Sequence, residues 1–201
     1  MLESRGTDGP SQTTVISRLD NPAQTVCDLA GKKFCLGDPD STSGSVIPTS
    51  QLNLHEPCIE GDLFDFADVI YSGGHENTVA MVLNGTCEAG AIWDGMLVRM
   101  RANPEDYTAK IPGFTADNMD ALHSIWVSPE IPLASLVFRD SLPQAFKQAF
   151  KGVHFTLHRD DPEVWLAGIG DDVVNAVAGE FEDYNVVREA RRYLAEQATG
   201  K

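Results

Sequence analysis

The chain has 201 residues, 42% of them hydrophobic and 22% charged, with a net charge of −15 and a pI near 4.5. That is enough chain for one sizeable domain or two small lobes, with an ordinary globular composition. So acidic a surface excludes a basic face for nucleic acid, and no run nears the ~20 apolar residues that a membrane span needs. The same acidic field repels anions at long range, so any anion site here must use local, uncharged donors in a sheltered cleft.

Residues 1–12 are polar and contain Gly and Pro, so a loose segment is expected; the first ten lack the basic start and apolar core of a signal peptide. Thr13 to Arg18 is a β-branched strand candidate. Asp20-Asn21-Pro22 opens a short helix that runs through Asp28-Leu29-Ala30 and closes at Gly31. Lys33 to Leu36 reads as a buried strand, stopped by Gly37-Asp38-Pro39. Ser41, Thr42, Ser43 and Gly44 then precede a helix over Ser45 to Leu54 that Pro48 bends or delays. Hydroxyl residues at such a turn cap the helix. They also aim several donors at one point, where the helix dipole favours negative charge. The plain alternative is a Ser/Thr cap and nothing more.

Pro57 to Asp62 reads as a loop, and Leu63 to Ala67 as one or two helical turns. Asp68 to Tyr71 is a strand ended by Ser72-Gly73-Gly74. An amphipathic helix follows from His75 to Leu83, closed by Asn84-Gly85. Ala89 to Trp93 is a strand with Asp94-Gly95 at its end, and Met96 to Ala102 is helical. Asn103 to Gly113 is polar; a helical stretch at Ala116 to Ala121 leads into a strand from His123 to Val127. After the rigid turn Ser128 to Pro132, a strand is expected over Ala134 to Phe138. Helices are expected from Leu142-Pro143 to Lys151, over Asp160 to Ala167 and over Tyr184 to Gln197. The alternation of strand and helix predicts an α/β architecture around a mostly parallel sheet, with ligands outside the carboxyl ends of the strands. Cys27, Cys35, Cys58 and Cys87 match no zinc spacing; free buried thiols are expected, with one disulfide as the alternative for an exported protein.

The ordered set of these pieces resembles the substrate-binding proteins of phosphate/phosphite/phosphonate ABC transporters, which have a type II periplasmic-binding-protein fold. The matching pieces are Asp28 to Phe34, Gly37 to Gly44 with Pro48, Ser72 to Glu76 with Asn84-Gly85, Ala91 to Asp94, Ser128 to Pro132, and Arg139 to Pro143. The resemblance implies that Ser41, Thr42 and Ser43 hold the oxyanion through hydroxyls and backbone N–H groups, that His75 reaches it and that Asp94 lies near it. A histidine at a helix start donates to an oxyanion and charges more readily beside one. Read by position alone, His75 is equally a helix-start residue satisfied locally, and Asp94 a turn residue or cap. Trp93 and Tyr71 read as core, and His55, His123, His154 and His158 as structural or exposed.

Members that take aminoalkylphosphonates tend to carry an acid just after the Ile-Pro, where this chain has Leu133-Ala134-Ser135. A simpler phosphonate, phosphite or phosphate therefore remains open. The family has two lobes, and this sequence starts where the family's chain has already crossed into the second. The expected division is a loose segment 1–12, a second-lobe α/β domain 13–127 carrying the anion site, and a return segment 128–201 belonging to an incomplete first lobe. Val137, Phe138, Phe146, Phe150 and Trp165 would then lack part of their cover, which points to a partner or a dimer. The resulting expectation is a solute-binding component of an ABC importer, periplasmic or extracellular, with a phosphorus oxyanion and a permease as partners. A missing N-terminal lobe or a second copy completes the list, and no cofactor or metal is called for. The alternatives are a sensory module of the same fold and a truncated copy with impaired binding. An enzyme is not expected: Ser43 with His75 is no nucleophile elbow, and no carboxylate pair or nucleotide-type phosphate loop is marked out.

Overall fold

The computed structural model describes residues 2–6, 11–133, 135–169 and 173–199. In chain order the elements are β1 (Leu2–Gly6), β2 (Thr13–Arg18), β3 (Lys33–Leu36), α1 (Ile47–His55), α2 (Leu63–Phe66), β4 (Asp68–Tyr71), α3 (His75–Leu83) and β5 (Ala89–Trp93). Then come α4 (Asp94–Ala102), α5 (Pro104–Thr108), β6 (Leu122–Val127), β7 (Ser135–Leu136), α6 (Gln144–Asp160), α7 (Pro162–Gly168), β8 (Val173–Ala178) and α8 (Asn185–Thr199). Short 3₁₀ segments lie at Val26–Leu29, Ala116–Ala121 and Glu182–Tyr184, and a wide helical turn at Thr42–Val46 leads into α1.

Contacts divide the chain into two units, Gln12–Pro129 with Val187–Lys201 and Met1–Ser11 with Glu130–Val186. The larger unit is built on a five-stranded sheet in the order β4-β3-β5-β2-β6. Period-2 alternation sends side chains to two cores. Val15, Phe34, Leu36, Ala89 and Ala91 face α1 and α2 through Leu52 and Leu63. Ile16, Cys35 and Ile92 face α3 through Val79 and Val82. β2 is buried on both sides, which is why its Thr, Val and Ile residues read as one apolar run rather than an alternation. Gly90 lies where Thr78 of α3 presses on the sheet: a Cβ there would collide with the Thr78 methyl and sit 3.2 Å from the Cys35 carbonyl oxygen.

The α/β class holds, but the sheet is mixed rather than mostly parallel. β3 runs parallel to β4 and β5, whereas β2 runs antiparallel to both β5 and β6. Strand–helix alternation reports connections between neighbours in sequence, and β2 takes a place between strands that come much later. The cysteines also depart from the expectation of free thiols. Cys27 is bonded to Cys58, and Cys35 to Cys87, with Cα separations of 5.6 and 5.9 Å. Cys35 on β3 and Cys87 at the start of β5 become neighbours only through strand pairing, so their spacing carried no signal.

The smaller unit has a three-stranded antiparallel sheet, β7-β1-β8, with α6 and α7. Two of its strands were not expected. Leu2–Gly6 falls within the segment read as loose, and Val173–Ala178 lies in a stretch to which the sequence reading assigns no element. The strand expected over 134–138 is present only as Ser135–Leu136, residue 134 lying outside the described residues. α6 runs nine residues past its expected end at Lys151, because Gly152 is tolerated inside it. Trp165 is buried, its indole N–H donating to the Val173 carbonyl at 2.6 Å. It was expected to lack cover. Val137 and Phe146 do stay exposed, at 74% and 50%, while Phe138 and Phe150 are half-buried. Most of α8, expected to go with the return segment, belongs to the larger unit. There Ala190 is buried and Arg191 donates to the Asp40 carbonyl at 3.0 Å.

Candidate functional site

The site is built where β3 ends. Gly37 and Gly44 pack backbone to backbone, the Gly37 N–H donating to the Gly44 carbonyl at 2.8 Å. A Cβ on Gly44 would lie 3.3 Å from the Gly37 Cα, 2.9 Å from Ser41 Oγ and 3.2 Å from His75 Cε1. Between the two glycines the chain turns on Asp38, whose carbonyl accepts from the Ser41 N–H and whose carboxylate accepts from the Asp40 N–H. Ser41 is the N-cap: its Oγ accepts from the Gly44 N–H at 3.1 Å, and its carbonyl accepts from Ser45 and Val46. Among the described residues, the Thr42 and Ser43 N–H groups have no acceptor, as expected of the first N–H groups of a helix. The turn is wide, with N–H groups reaching five residues back, which spreads these leading donors.

Three other elements meet this turn. Thr13 of β2 donates its hydroxyl to the Ser43 carbonyl at 2.8 Å, tying the helix start to the sheet. His75, the first residue of α3, brings Nε2 to 3.5 Å from Ser43 Oγ. Its other nitrogen, Nδ1, accepts from the Trp93 backbone N–H at 3.3 Å, at the end of β5. That bond sets the tautomer: in the neutral ring the proton sits on Nε2, on the Ser43 side. Burial holds the His75 pKa below the ordinary imidazole value, with Glu76 acting weakly the other way. The sequence reading expected an imidazole that charges easily beside an anion; the structure makes the ring a donor while neutral. α3 itself starts from a hydroxyl knot: Ser72 Oγ and Thr78 Oγ1 share a hydrogen bond at 2.6 Å, both lie within reach of the Gly74 carbonyl, and the hydroxyl that accepts from the other donates to it.

Asp94 follows Trp93 at the same sheet edge. Its carboxylate accepts from the Gln12 N–H, and its own N–H donates to the Gln12 carbonyl, both at 3.0 Å. It acts as a joint between the start of β2 and the start of α4. Ser128 makes a second joint, its Oγ accepting from the Thr13 N–H at 2.9 Å while its carbonyl accepts from the Gln12 side chain at 2.8 Å. Sequence reasoning missed Gln12, Thr13 and Ser128. Thr13 looked like any strand threonine, and its partner lies 30 positions away. Of the five predicted site residues, Ser41, Thr42, Ser43 and His75 come together, and Asp94 is linked to them through the Trp93 backbone. Trp93 packs partly on the core beneath the Arg99 guanidinium, 5.0 Å from the ring, and Tyr71 is about half exposed. The arrangement offers backbone N–H donors, two hydroxyls and a neutral imidazole N–H around a helix N-terminus, a donor set for an oxyanion. The cluster of Cys27, Glu56 and Cys58 is not a metal site, because its two sulfurs are bonded to each other.

The family model described as "ABC transporter, phosphonate, periplasmic substrate-binding protein" matches residues 2–180. The chain belongs to that family. A curated relative, the phosphate-import protein PhnD of Mycolicibacterium smegmatis, is 32% identical over 119 residues, covering 57% of this chain and 34% of its own length. The chain thus matches about a third of that relative. The binding-protein component of an ABC phosphonate transporter from Pseudomonas aeruginosa has a TM-score of 0.71 at 16% identity, over 99% of this chain and 63% of its own. PhnD1 from Prochlorococcus marinus, solved with methylphosphonate, has a TM-score of 0.68 at 18% identity, over 98% of this chain and 71% of its own. The structural likeness shows the fold, a periplasmic-binding-protein type II α/β fold. Among the described residues, no helix is long and apolar enough to cross a membrane.

Proposed function

We propose that this chain is the solute-binding component of an ABC importer and that it takes a phosphorus oxyanion onto the Ser41-Thr42-Ser43 helix start. The observation that carries the reading is the pair of unspent N–H groups at Thr42 and Ser43, with the His75 Nε2 edge beside them. Every donor there is neutral, which suits an anion site in a chain of net charge −15. Family membership supports transport rather than catalysis, and a permease as partner. The two disulfides fit an oxidising compartment, in line with a periplasmic or extracellular location. Calorimetry of the purified chain against phosphate, phosphite, methylphosphonate and 2-aminoethylphosphonate, with sulfate as control, tests the reading. Micromolar or tighter binding of one phosphorus oxyanion, weakened in a Thr42→Ala/Ser43→Ala double variant, is expected. Equal affinity in the double variant would remove the assignment.

A second reading is favoured by the smaller unit, where α6 buries none of its residues and Val137, Phe146 and Phe181 stand in solvent. In that reading further polypeptide, an N-terminal lobe or a second copy, covers this surface and completes the binding protein. Absence of binding in a folded sample, restored by adding a first-lobe fragment of a relative, would favour it.

A further inference from the structure

α6 carries two histidines one turn apart, His154 and His158. Residues at this spacing share a helix face, and two imidazoles so placed supply two ligands to zinc in helical metal motifs. Here both rings are positioned by aromatic neighbours. His154 lies stacked on Phe150 with centroids 4.5 Å apart, and both rings meet Trp165 near edge-on, at 6.5 Å for His154 and 5.7 Å for His158. Trp165 is itself fixed by burial and by its bond to the Val173 carbonyl. A second observation is independent of this spacing: His158 Nδ1 is buried and has no hydrogen-bond partner among the described residues. A buried polar atom without a partner in a native fold calls for an ion or a water. Neither neighbouring carboxylate is spare. Asp160 is held by Arg159 and Thr156, and Asp161 caps α7 by accepting from the Val164 N–H.

We propose that His154 and His158 form a two-imidazole site for a first-row transition cation. The ligand chemistry selects the class. Imidazole nitrogen suits Cu²⁺, Ni²⁺ and Zn²⁺, whereas Mg²⁺ and Ca²⁺ need oxygen ligands that this face lacks. Stacking on Phe150 and packing on Trp165 hold the rings before the ion arrives, which lowers the ordering cost of binding. The site lies within the smaller unit and does not depend on the oxyanion reading.

Trp165 provides the readout, because Cu²⁺ or Ni²⁺ held by the two rings quenches an indole this close. Titration of the full chain with Ni²⁺ should give saturable fluorescence quenching that is lost in Trp165→Phe, while calorimetry with Zn²⁺ still reports binding in that variant. Affinity should fall by about tenfold or more in His154→Gln or His158→Gln, since even an outer-shell partner of a metal ligand is worth that much. His55→Gln should change nothing. Circular dichroism checks that the histidine variants keep the fold. In the wild-type chain, trace Cu²⁺ should broaden the ring signals of His154 and His158 before those of His55. Undiminished binding in the His154→Gln/His158→Gln double variant, early broadening of His55 instead, or no saturable binding of any of the three ions would overturn the proposal.

Discussion

Gly44 is the residue on which the geometry of the candidate site turns most sharply, and Gly44→Ala is the substitution that probes it. The backbone φ there is not in the left-handed region, so the effect comes from space alone. The new methyl would meet Ser41 Oγ at 2.9 Å, His75 Cε1 at 3.2 Å and the Gly37 Cα at 3.3 Å. The serine can rotate away, but only by giving up its bond to the Gly44 N–H, and loss of such a cap costs about 1 kcal/mol. The glycine backbone cannot rotate away, since the Gly37 N–H is bonded to the Gly44 carbonyl. Overpacking of this kind adds about 1–3 kcal/mol. Urea unfolding with the disulfides intact should therefore show a loss of about 2–4 kcal/mol from the two effects together. Because the methyl also pushes the His75 ring, oxyanion affinity should fall alongside stability. A variant as stable as the wild type with unchanged binding would refute the argument that this close approach shapes the site. Gly152→Ala supplies the contrast. A Cβ there meets nothing within 4 Å inside α6, so stability should rise by about 0.5–1 kcal/mol.

Three further outcomes follow from the same geometry. Replacing Cys35 and Cys87 by Ala should lower stability by about 2–4 kcal/mol, read by denaturant unfolding against the wild type; an unchanged midpoint would show that the bond contributes nothing. Nitrogen-15 NMR should find His75 neutral with its proton on Nε2 at pH 7, since the Trp93 N–H occupies Nδ1; a proton on Nδ1 would contradict the arrangement. Because burial depresses the His75 pKa, the unfolded chain binds a proton that the native chain refuses as pH falls below about 6.5. The stability due to this group is thus complete above that pH and declines on acidification until the folded-state pKa is passed. His75→Gln should flatten that part of the pH–stability curve.

Local signals carried most of the elements of the larger unit. β2, β3, β4, β5 and α3 were legible because turn residues bracket short apolar or amphipathic runs, as at Gly31 and Gly37 around Lys33–Leu36 and at Ser72-Gly73-Gly74 before His75. The hydroxyl turn was legible for the same reason: Ser41 as a cap depends on a position a few residues away. α5 was missed because Pro104 reads as a breaker when it in fact sits at a first helical turn. β1 and β8 were missed because each is defined by the other, Leu2 to Gly6 pairing with 173–178 across the length of the chain.

The sequence by itself determined the periodic elements, the family motifs and the cluster of small hydroxyl residues in front of a helix, since each is a matter of near neighbours. Tertiary structure alone decided everything that depends on distant segments meeting. It placed β2 antiparallel between β5 and β6, joined Cys35 to Cys87, and hung the Ser43 carbonyl on Thr13. It also turned His75 into a neutral donor, because the Trp93 N–H that occupies Nδ1 comes from the next strand rather than from the histidine's own helix. A backbone donor 18 residues away leaves no mark in local composition, yet it settles which ring nitrogen faces Ser43.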